Sequence, residues 1–157
     1  MKNLFACSIF LIGFYSVSAQ HLSHNALGLR LGSNRGFGSE ISYQKKLNSE
    51  NRAEFNLGWR SNNSVNAIKL NGMYQWVWVI EQGFNWYAGV GGGLGSFSNN
   101  TTNSNGIFLF AAGDIGIEYN FDFPLQASLD LRPEIGGSGY FENNYGTDIA
   151  LGIRYKF

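Results

Sequence analysis

The chain is poor in the residues that commonly stabilise small exported proteins or give them chemical activity. Cysteine occurs once among 157 residues, as Cys7, and proline occurs twice. A single cysteine excludes an intrachain disulfide and a cysteine-based metal site, so other interactions must stabilise the fold. Lys and Arg number 11, and Asp and Glu also number 11. Without a basic surplus, nucleic acid is not expected as a partner.

Long apolar runs are also absent, since a membrane-spanning helix needs about 20 apolar residues in succession. The longest apolar run covers residues 4–14, follows Lys2, and precedes small residues at 17–19. This order is typical of a secretory signal peptide that is cleaved before the next residue. We therefore expect a signal peptide at residues 1–19 and a single exported domain at residues 20–157.

Strand-forming and turn-forming residues dominate the rest of the chain. Glycine occurs 21 times and aromatic residues make up 16% of the sequence, which favours strands joined by turns. Apolar and polar residues alternate with a period of two, and clusters of Asn, Gly, Ser or Asp separate the alternating segments. The pattern predicts an all-β domain of eight strands. These strands cover residues 25–33, 39–47, 53–60, 66–80, 85–97, 107–121, 125–136 and 147–157.

The last predicted strand shows most clearly that each strand has an apolar and a polar side. Ile149, Leu151 and Ile153 fall on one side, whereas Asp148 and Arg154 fall on the other. Two architectures fit this alternation. The apolar side lines the cavity of a soluble periplasmic barrel that carries an apolar ligand, or it faces the lipid of a membrane.

The polar sides of the strands carry charges of both signs in equal number. Seven cationic and seven anionic residues fall there: Arg30, Lys46, Arg60, Lys69, Arg132, Arg154 and Lys156, with Glu40, Glu54, Asp114, Glu118, Asp130, Glu134 and Asp148. A charge that faces lipid near the midplane costs roughly 2–4 kcal/mol, so we expect these side chains inside a narrow lumen. Hairpin geometry places Arg30 opposite Glu40 and Asp114 opposite Arg132. We interpret the charges as ion pairs that close the lumen; the alternative is a narrow pathway for small solutes.

Aromatic residues gather at the strand ends that we place near the periplasm. They are Tyr43, Phe55, Trp76, Trp78, Trp86, Tyr119, Phe121, Tyr155 and Phe157. Amphipathic rings prefer the headgroup boundary, so these residues predict an aromatic girdle on the outside of the barrel. The predicted links at 48–51, 81–83 and 122–124 are tight, whereas those at 99–105 and 138–145 are longer. Outer-membrane barrels show the same asymmetry between periplasmic turns and extracellular loops.

Together these features predict an eight-stranded antiparallel up-and-down transmembrane β-barrel, whose closure satisfies the backbone groups in lipid. The chain resembles the small eight-stranded outer-membrane barrels of Gram-negative bacteria, the OmpA/OmpX-like group. The resemblance rests on the signal peptide, the eight strands and the terminal residues 153–157. Residues 116–125 and 129–134 also resemble a hairpin of porin-like families. Ile153, Tyr155 and Phe157 resemble the signal that such proteins present to the barrel-assembly machinery.

The resemblance also raises an enzymatic alternative, because some barrels of this size act on the acyl chains of lipid A through a Ser activated by a His. Such a base must lie within hydrogen-bond reach of its nucleophile. The chain has two histidines, His21 and His24, and both precede the first predicted strand. They lack nearby metal-ligating partners in the sequence, and the glycines between 89 and 95 precede no helix that would bind phosphate. We predict neither an enzyme nor a cofactor.

The expected function is therefore non-enzymatic, and structural or interactive. We expect a monomer in the bacterial outer membrane that contacts lipid, with extracellular loops that contact host surfaces, other cells or lipopolysaccharide. The resemblance implies a role in membrane integrity or adhesion. Tyr140, Phe141 and Tyr145 form either a surface contact patch or a set of rings that return to the headgroup boundary. The sequence names no particular surface partner. A narrow pore and a soluble periplasmic carrier are the alternatives.

Overall fold

The computed structural model describes residues 22–33, 37–61, 63–137 and 144–157. The predicted signal peptide at residues 1–19 lies outside these residues, and so do Tyr140 and Phe141 of the predicted contact patch.

Eight antiparallel strands form one closed barrel in which each strand pairs with its neighbours in sequence. The strands are β1 (Asn25–Ser33), β2 (Phe37–Lys46), β3 (Asn51–Ser61), β4 (Val65–Glu81), β5 (Phe84–Asn99), β6 (Ser104–Asn120), β7 (Leu125–Gly136) and β8 (Tyr145–Lys156). The pairing of β1 with β8 closes the sheet, and at its edge Phe157 N donates to Asn25 O over 2.9 Å. The predicted eight-stranded antiparallel up-and-down barrel is confirmed.

The strands are staggered around the barrel. Each residue pairs with one on the next strand, so a row of register partners can be followed once around the barrel. The row that starts at Tyr155 on β8 passes through Leu27 on β1 and Phe55 on β3. It returns to β8 at Tyr145. The start and the end of this path differ by ten residues in number, from 155 to 145. A stagger of this kind accompanies a strand tilt of about 35–45°. Residues in one register row therefore lie at different heights along the barrel axis.

We call the end that carries Asn25 and Phe157 the terminal end and the opposite end the far end. The terminal end has the turns between β2 and β3, β4 and β5, and β6 and β7. The turn between β4 and β5 is the shortest of these, and Gly83 there has a φ of 79°, which glycine adopts without steric cost. Its carbonyl accepts a hydrogen bond from Asn120 N at 2.7 Å, which joins the turn to β6.

Six of the eight predicted strands have bounds that differ from the structure by one to three residues, and two of these differences change the interpretation. The third strand starts at Asn51 rather than at residue 53, because β4 extends far enough to pair with it there. The link predicted as a long loop at 99–105 is a tight turn between β5 and β6. Asn99 Oδ1 accepts hydrogen bonds from the amides of Thr101 and Thr102, which lets an Asn-rich segment close a turn.

The alternation of each strand separates a buried polar side from an exposed apolar side. On β8, Asp148 and Arg154 are fully buried, whereas Leu151 between them is 62% exposed. The lumen is thus polar and the outer wall is apolar, the reverse of a soluble barrel that carries an apolar ligand. None of the described residues belongs to a helix long and apolar enough to cross a membrane.

Candidate functional site

The lumen is the most unusual part of the molecule, because the described strands bury thirteen charged side chains there. Six are cationic, namely Arg30, Arg52, Arg60, Lys69, Arg132 and Arg154, and seven are anionic, namely Glu40, Glu54, Asp114, Glu118, Asp130, Glu134 and Asp148. Their near balance matters because a buried charge is tolerated only when it is paired and hydrogen-bonded.

Arg30 lies at the centre of the first group of ion pairs. Its Nη1 atom donates to Glu40 Oε2 at 3.0 Å and to Asp148 Oδ2 at 2.7 Å, and its Nε and Nη2 atoms form a bidentate contact with Asp130. Arg60 Nη2 reaches the same two carboxylates, Glu40 at 3.0 Å and Asp148 at 2.6 Å. Residues from five strands meet here, so the group links opposite walls of the barrel.

Arg132 and Arg154 organise a second group around Glu54. Arg132 Nη2 lies 3.1 Å from Glu54 Oε1 and 3.3 Å from Asp114 Oδ2, and Arg154 Nη2 lies 3.4 Å from Glu54 Oε1. Arg154 also donates from Nε to Ser42 Oγ at 2.8 Å. The cations of β7 and β8 therefore meet a carboxylate of β3 across the lumen.

Lys69 connects the ion pairs to the far end of the lumen. Its Nζ atom lies 2.5 Å from Glu134 Oε1 and 3.7 Å from Glu40 Oε1. The same atom lies 5.2 Å from the centroid of the Phe110 ring. Lys69 thus joins the Arg30 group to an apolar layer at the far end.

Arg52 is a buried charge that the sequence reasoning missed. Its Nη1 atom lies 2.6 Å from Glu118 Oε2, and its Nε atom donates to Gln75 Oε1 at 2.7 Å. Gln75 in turn donates to Asp114 Oδ2 at 2.5 Å, which connects this pair to the Arg132 group. Extending the alternation of the third strand back from Glu54 by two residues would have found Arg52.

Apolar side chains form a cluster at the far end of the lumen, and a smaller apolar cluster lies beside the Arg52–Glu118 pair at the terminal end. At the far end, Phe97, Phe108 and Phe110 pack with small neighbours, and at the terminal end Val77 packs with Tyr87. The far-end rings fit because β5 presents glycines. A Cβ atom at Gly95 would lie 2.5 Å from Phe108 Cζ. The glycine run that superficially suggests a phosphate loop therefore makes room for side chains of β4 and β6.

The outer wall carries the aromatic residues predicted as a girdle. Their exposed fractions include 39% for Trp76, 38% for Trp78, 37% for Trp86, 44% for Tyr119, 57% for Tyr155 and 60% for Phe157. Tyr43 and Phe121 are half-buried. Several rings contact one another, and Trp78 stacks on Trp86 with centroids 4.3 Å apart.

Phe55 belongs to the predicted girdle but lies higher on the wall than the Trp residues. It pairs in register with Gly72, and its ring lies over that glycine, with Phe55 Cδ1 3.5 Å from the place of a Cβ atom. The stagger of the strands raises this part of β3 toward the middle of the apolar band. Phe55 therefore fills a gap in the wall instead of marking its boundary.

The remaining predicted residues lie near the chain ends and the far rim. Ile153, Tyr155 and Phe157 all project from the outer wall near the terminal end. Tyr145 projects outward at the far end, is 53% exposed, and accepts a hydrogen bond from Thr147 Oγ1 at 2.8 Å. The structure thus separates the predicted assembly signal from Tyr145 by the full height of β8.

His24 lies at the terminal end and is exposed. Its main-chain carbonyl accepts a hydrogen bond from Lys46 N at 3.0 Å. Across the described ranges, no three His, Cys, Asp or Glu side chains come together in a way that could hold a metal ion.

Comparison with solved structures finds the same architecture in several barrels. The N-terminal β-barrel domain of Pseudomonas aeruginosa OprF matches with a TM-score of 0.73 and 14% identity, covering 86% of this chain and 98% of that domain. Neisserial surface protein A matches with a TM-score of 0.66 and 15% identity, covering 85% and 94%. The outer membrane enzyme PagL matches with a TM-score of 0.57 and 8% identity, covering 84% and 99%.

The chain has the fold of the small eight-stranded outer-membrane barrels. The predicted resemblance is thereby confirmed at the level of the fold. No protein-family model and no curated protein matches the sequence. At these low sequence identities the structural similarity shows only that the fold is shared. PagL shows that this fold also occurs in an enzyme.

Proposed function

We propose that the protein is a monomeric, non-enzymatic barrel of the bacterial outer membrane with a closed lumen, and that its role is structural or lies at its extracellular surface. One observation carries the proposal. The wall buries a connected set of ion pairs on its inner side and exposes an apolar band on its outer side. A bilayer is the environment in which this arrangement is stable.

The height of the apolar band supports insertion into a membrane. On β4, outward-facing residues run from Ile68 near the far end to Trp78 near the terminal end. These ten residue steps correspond to about 33 Å along a strand and, at a tilt of 35–45°, to about 25 Å along the barrel axis. The apolar band of outer-membrane barrels has about this height.

The boundaries of the band support an orientation. Trp78, Trp86 and Tyr119 cluster near the terminal end, where Asn25 and Phe157 also lie, and we assign this end to the periplasmic side. The far end then faces the exterior. Tyr145 projects outward there, which favours contact with lipid headgroups, including those of lipopolysaccharide, over a role in the lumen.

The depth and pairing of the lumen charges support a closed state. Arg30 is fully buried and contacts three carboxylates, so a conducting path would have to separate these groups. Breaking a buried pair leaves an uncompensated charge and costs several kcal/mol. Ion pairs of this depth support a closed lumen over the alternative of a narrow pore.

The absence of catalysis is supported by the position of His24. The imidazole is exposed at the terminal end, on the side that we assign to the periplasm. A lipid A hydrolase of the outer leaflet would need its base at the opposite boundary. Because PagL shares the fold, an altered lipid A pattern on overexpression would contradict this part of the proposal.

The terminal strand supports assembly by the barrel-assembly machinery. Ile153, Tyr155 and Phe157 form an exposed apolar row that ends at the seam between β1 and β8. Replacing Phe157 with Ala should lower the amount of folded protein in the outer membrane. Replacing the neighbouring Lys156 with Ala is the matched control and should have less effect.

Membrane fractionation combined with electrophoresis of unboiled and boiled samples tests the proposal. We expect recovery with the outer membrane, a heat-dependent shift in mobility, and no conductance steps in planar bilayers. Recovery as a soluble monomer without detergent would favour the soluble carrier. Regular conductance steps from fully folded protein would favour the pore.

A further inference from the structure

Leu22 lies outside the barrel strands in sequence but inside the barrel in space. It precedes β1 and is 6% exposed. Its side chain packs against Val77 of β4 and Tyr87 of β5. Both partners point into the lumen, since the outward-facing Trp76 and Trp78 flank Val77. Leu22 therefore enters the terminal mouth of the barrel.

The topology requires the segment before β1 to cross this mouth. In an eight-stranded closed barrel, β5 lies diametrically opposite β1. Leu22 is three residues from Asn25, a reach of at most about 11 Å for extended chain. The carbonyl of His24 is held by Lys46 N at 3.0 Å on β2. From this anchor the chain turns inward, and Leu22 meets Tyr87 over the opening.

Leu22 packs on Tyr87, a ring that borders directly on the ion pairs. The Tyr87 ring lies 4.8 Å from the guanidinium carbon of Arg52, and its hydroxyl lies 3.5 Å from Asp130 Oδ2. The ring lies against β6, because a Cβ atom at Gly116 would come within 2.5 Å of it. Tyr87 is thus fixed by the wall, whereas the side chain that lies on it comes from a segment outside the sheet.

The two ends of the lumen consequently differ in construction. At the far end the apolar layer of Phe97, Phe108 and Phe110 consists of strand residues, which cannot leave without opening the barrel. At the terminal end the apolar cluster of Val77 and Tyr87 is completed by Leu22, which precedes β1. Displacing Leu22 would break side-chain packing but no ladder hydrogen bond.

We propose that residues 22–24 form a displaceable seal at the periplasmic mouth, which controls the entry of water and small solutes into the ionic lumen. Leu22 is the sealing side chain, and His24 anchors the segment through its carbonyl. The inference rests on the proposed closed lumen and goes beyond it by assigning the closure at one end to a specific segment.

A cysteine placed beneath the seal can report its position. In a Cys7→Ser background the full chain has no other cysteine, so Val77→Cys introduces a unique thiol in contact with Leu22. A small, charged, membrane-impermeant methanethiosulfonate reagent is applied to the folded barrel in detergent and in vesicles. The labelling rate is compared between Leu22 and its Asp variant.

Leu22→Asp should leave the mouth, because a buried unpaired carboxylate is strongly disfavoured beside Val77 and Tyr87. We expect labelling of the cysteine at position 77 to accelerate at least tenfold. Ser23→Asp is the matched control, since it adds the same charge to the same segment and leaves Leu22 in place. Leu22→Met should label as slowly as the parent.

The heat-dependent mobility shift, measured on every variant, separates this inference from the proposed function. Equal labelling rates in folded Leu22 and Leu22→Asp barrels would overturn the seal while leaving the outer-membrane barrel intact. If the Leu22→Asp variant does not fold, Leu22→Ala in the same background takes its place and is expected to label faster than Leu22→Met. Loss of the mobility shift in the parent would contradict the proposed function itself.

Discussion

β5 and β7 build the same lumen in opposite ways. The lumen side of β7 carries three consecutive charged positions, Asp130, Arg132 and Glu134, and all three are buried. The lumen side of β5 carries no charge and consists largely of glycine between Tyr87 and Phe97. One strand contributes large polar side chains, and the other contributes the space that large side chains need.

This difference shows how a narrow barrel accommodates a charged interior. Eight strands enclose a lumen just wide enough to be filled by side chains. Long side chains from one part of the wall therefore require small residues elsewhere. On β5 the glycines lie against residues of β4 and β6, such as Gln75 and Phe110, so the charges of the other strands remain paired near the axis.

Removing a charge from β7 should have the largest effect on stability. Arg132 is fully buried and contacts Glu54 and Asp114, so Arg132→Met leaves both carboxylates with fewer partners. We expect a loss of about 3–5 kcal/mol in the free energy of unfolding. Urea titration in lipid vesicles measures it. Lys45→Met, at an exposed position, should change the free energy by less than about 0.5 kcal/mol.

Moving a charge to the outer side of β7 should have the next largest effect. Leu131 neighbours Arg132 in sequence but faces outward and is 40% exposed. Leu131→Arg should cost roughly 2–4 kcal/mol in vesicles, because the charge then faces lipid near the midplane. In a detergent-free soluble protein the same substitution would be nearly neutral. An unchanged unfolding curve in vesicles would therefore contradict the assignment of the outer face.

Adding one methyl group to β5 tests whether its glycines are required for space. A Cβ atom at Gly95 would lie 2.5 Å from both Ile68 O and Phe108 Cζ, so Gly95→Ala should destabilise the barrel by about 1–3 kcal/mol through overpacking. Gly72→Ala is the matched control. Its nearest neighbour, Phe55, is 3.5 Å away, an ordinary contact, and we expect a much smaller change. Equal effects at the two positions would show that lumen space is not the cause.

The outer side of β5 should show the smallest effect. Trp86 stacks on Trp78 of β4 at 4.3 Å with an interplanar angle of 19°. A double-mutant cycle with Trp→Leu at both positions should give a coupling of about 0.5–1.5 kcal/mol. Unfolding followed by circular dichroism avoids dependence on tryptophan fluorescence. A coupling near zero would assign each ring to lipid contact alone.

The local pattern of apolar and polar residues was sufficient to predict much of the fold. The period-two alternation located all eight strands, and the order of strands followed from short links. It also set which residues share a face, because side chains on a strand alternate regardless of what the sheet packs against. The position of Arg30 opposite Glu40 follows from the first hairpin. The predicted strand boundaries were less accurate than the strand positions. Arg52 was missed because the third strand was predicted to start at residue 53.

The contacts that join distant strands could not be derived in this way. Arg30 meets Asp130 and Asp148, and these residues are 100 and 118 positions away in sequence. Their meeting depends on the stagger summed around the closed wall, which no single strand encodes. The same stagger lifts Phe55 away from the boundary where the sequence placed it.

The alternation along the chain was enough to establish eight strands with charges on one side and apolar residues on the other. The closed barrel brings charges of seven strands into one lumen, lets β5 accommodate neighbouring rings, and packs Leu22 against Val77 and Tyr87. The two kinds of information differ in the distance along the chain over which they act. Alternation acts between adjacent residues, whereas closure, stagger and packing across the axis depend on all eight strands at once.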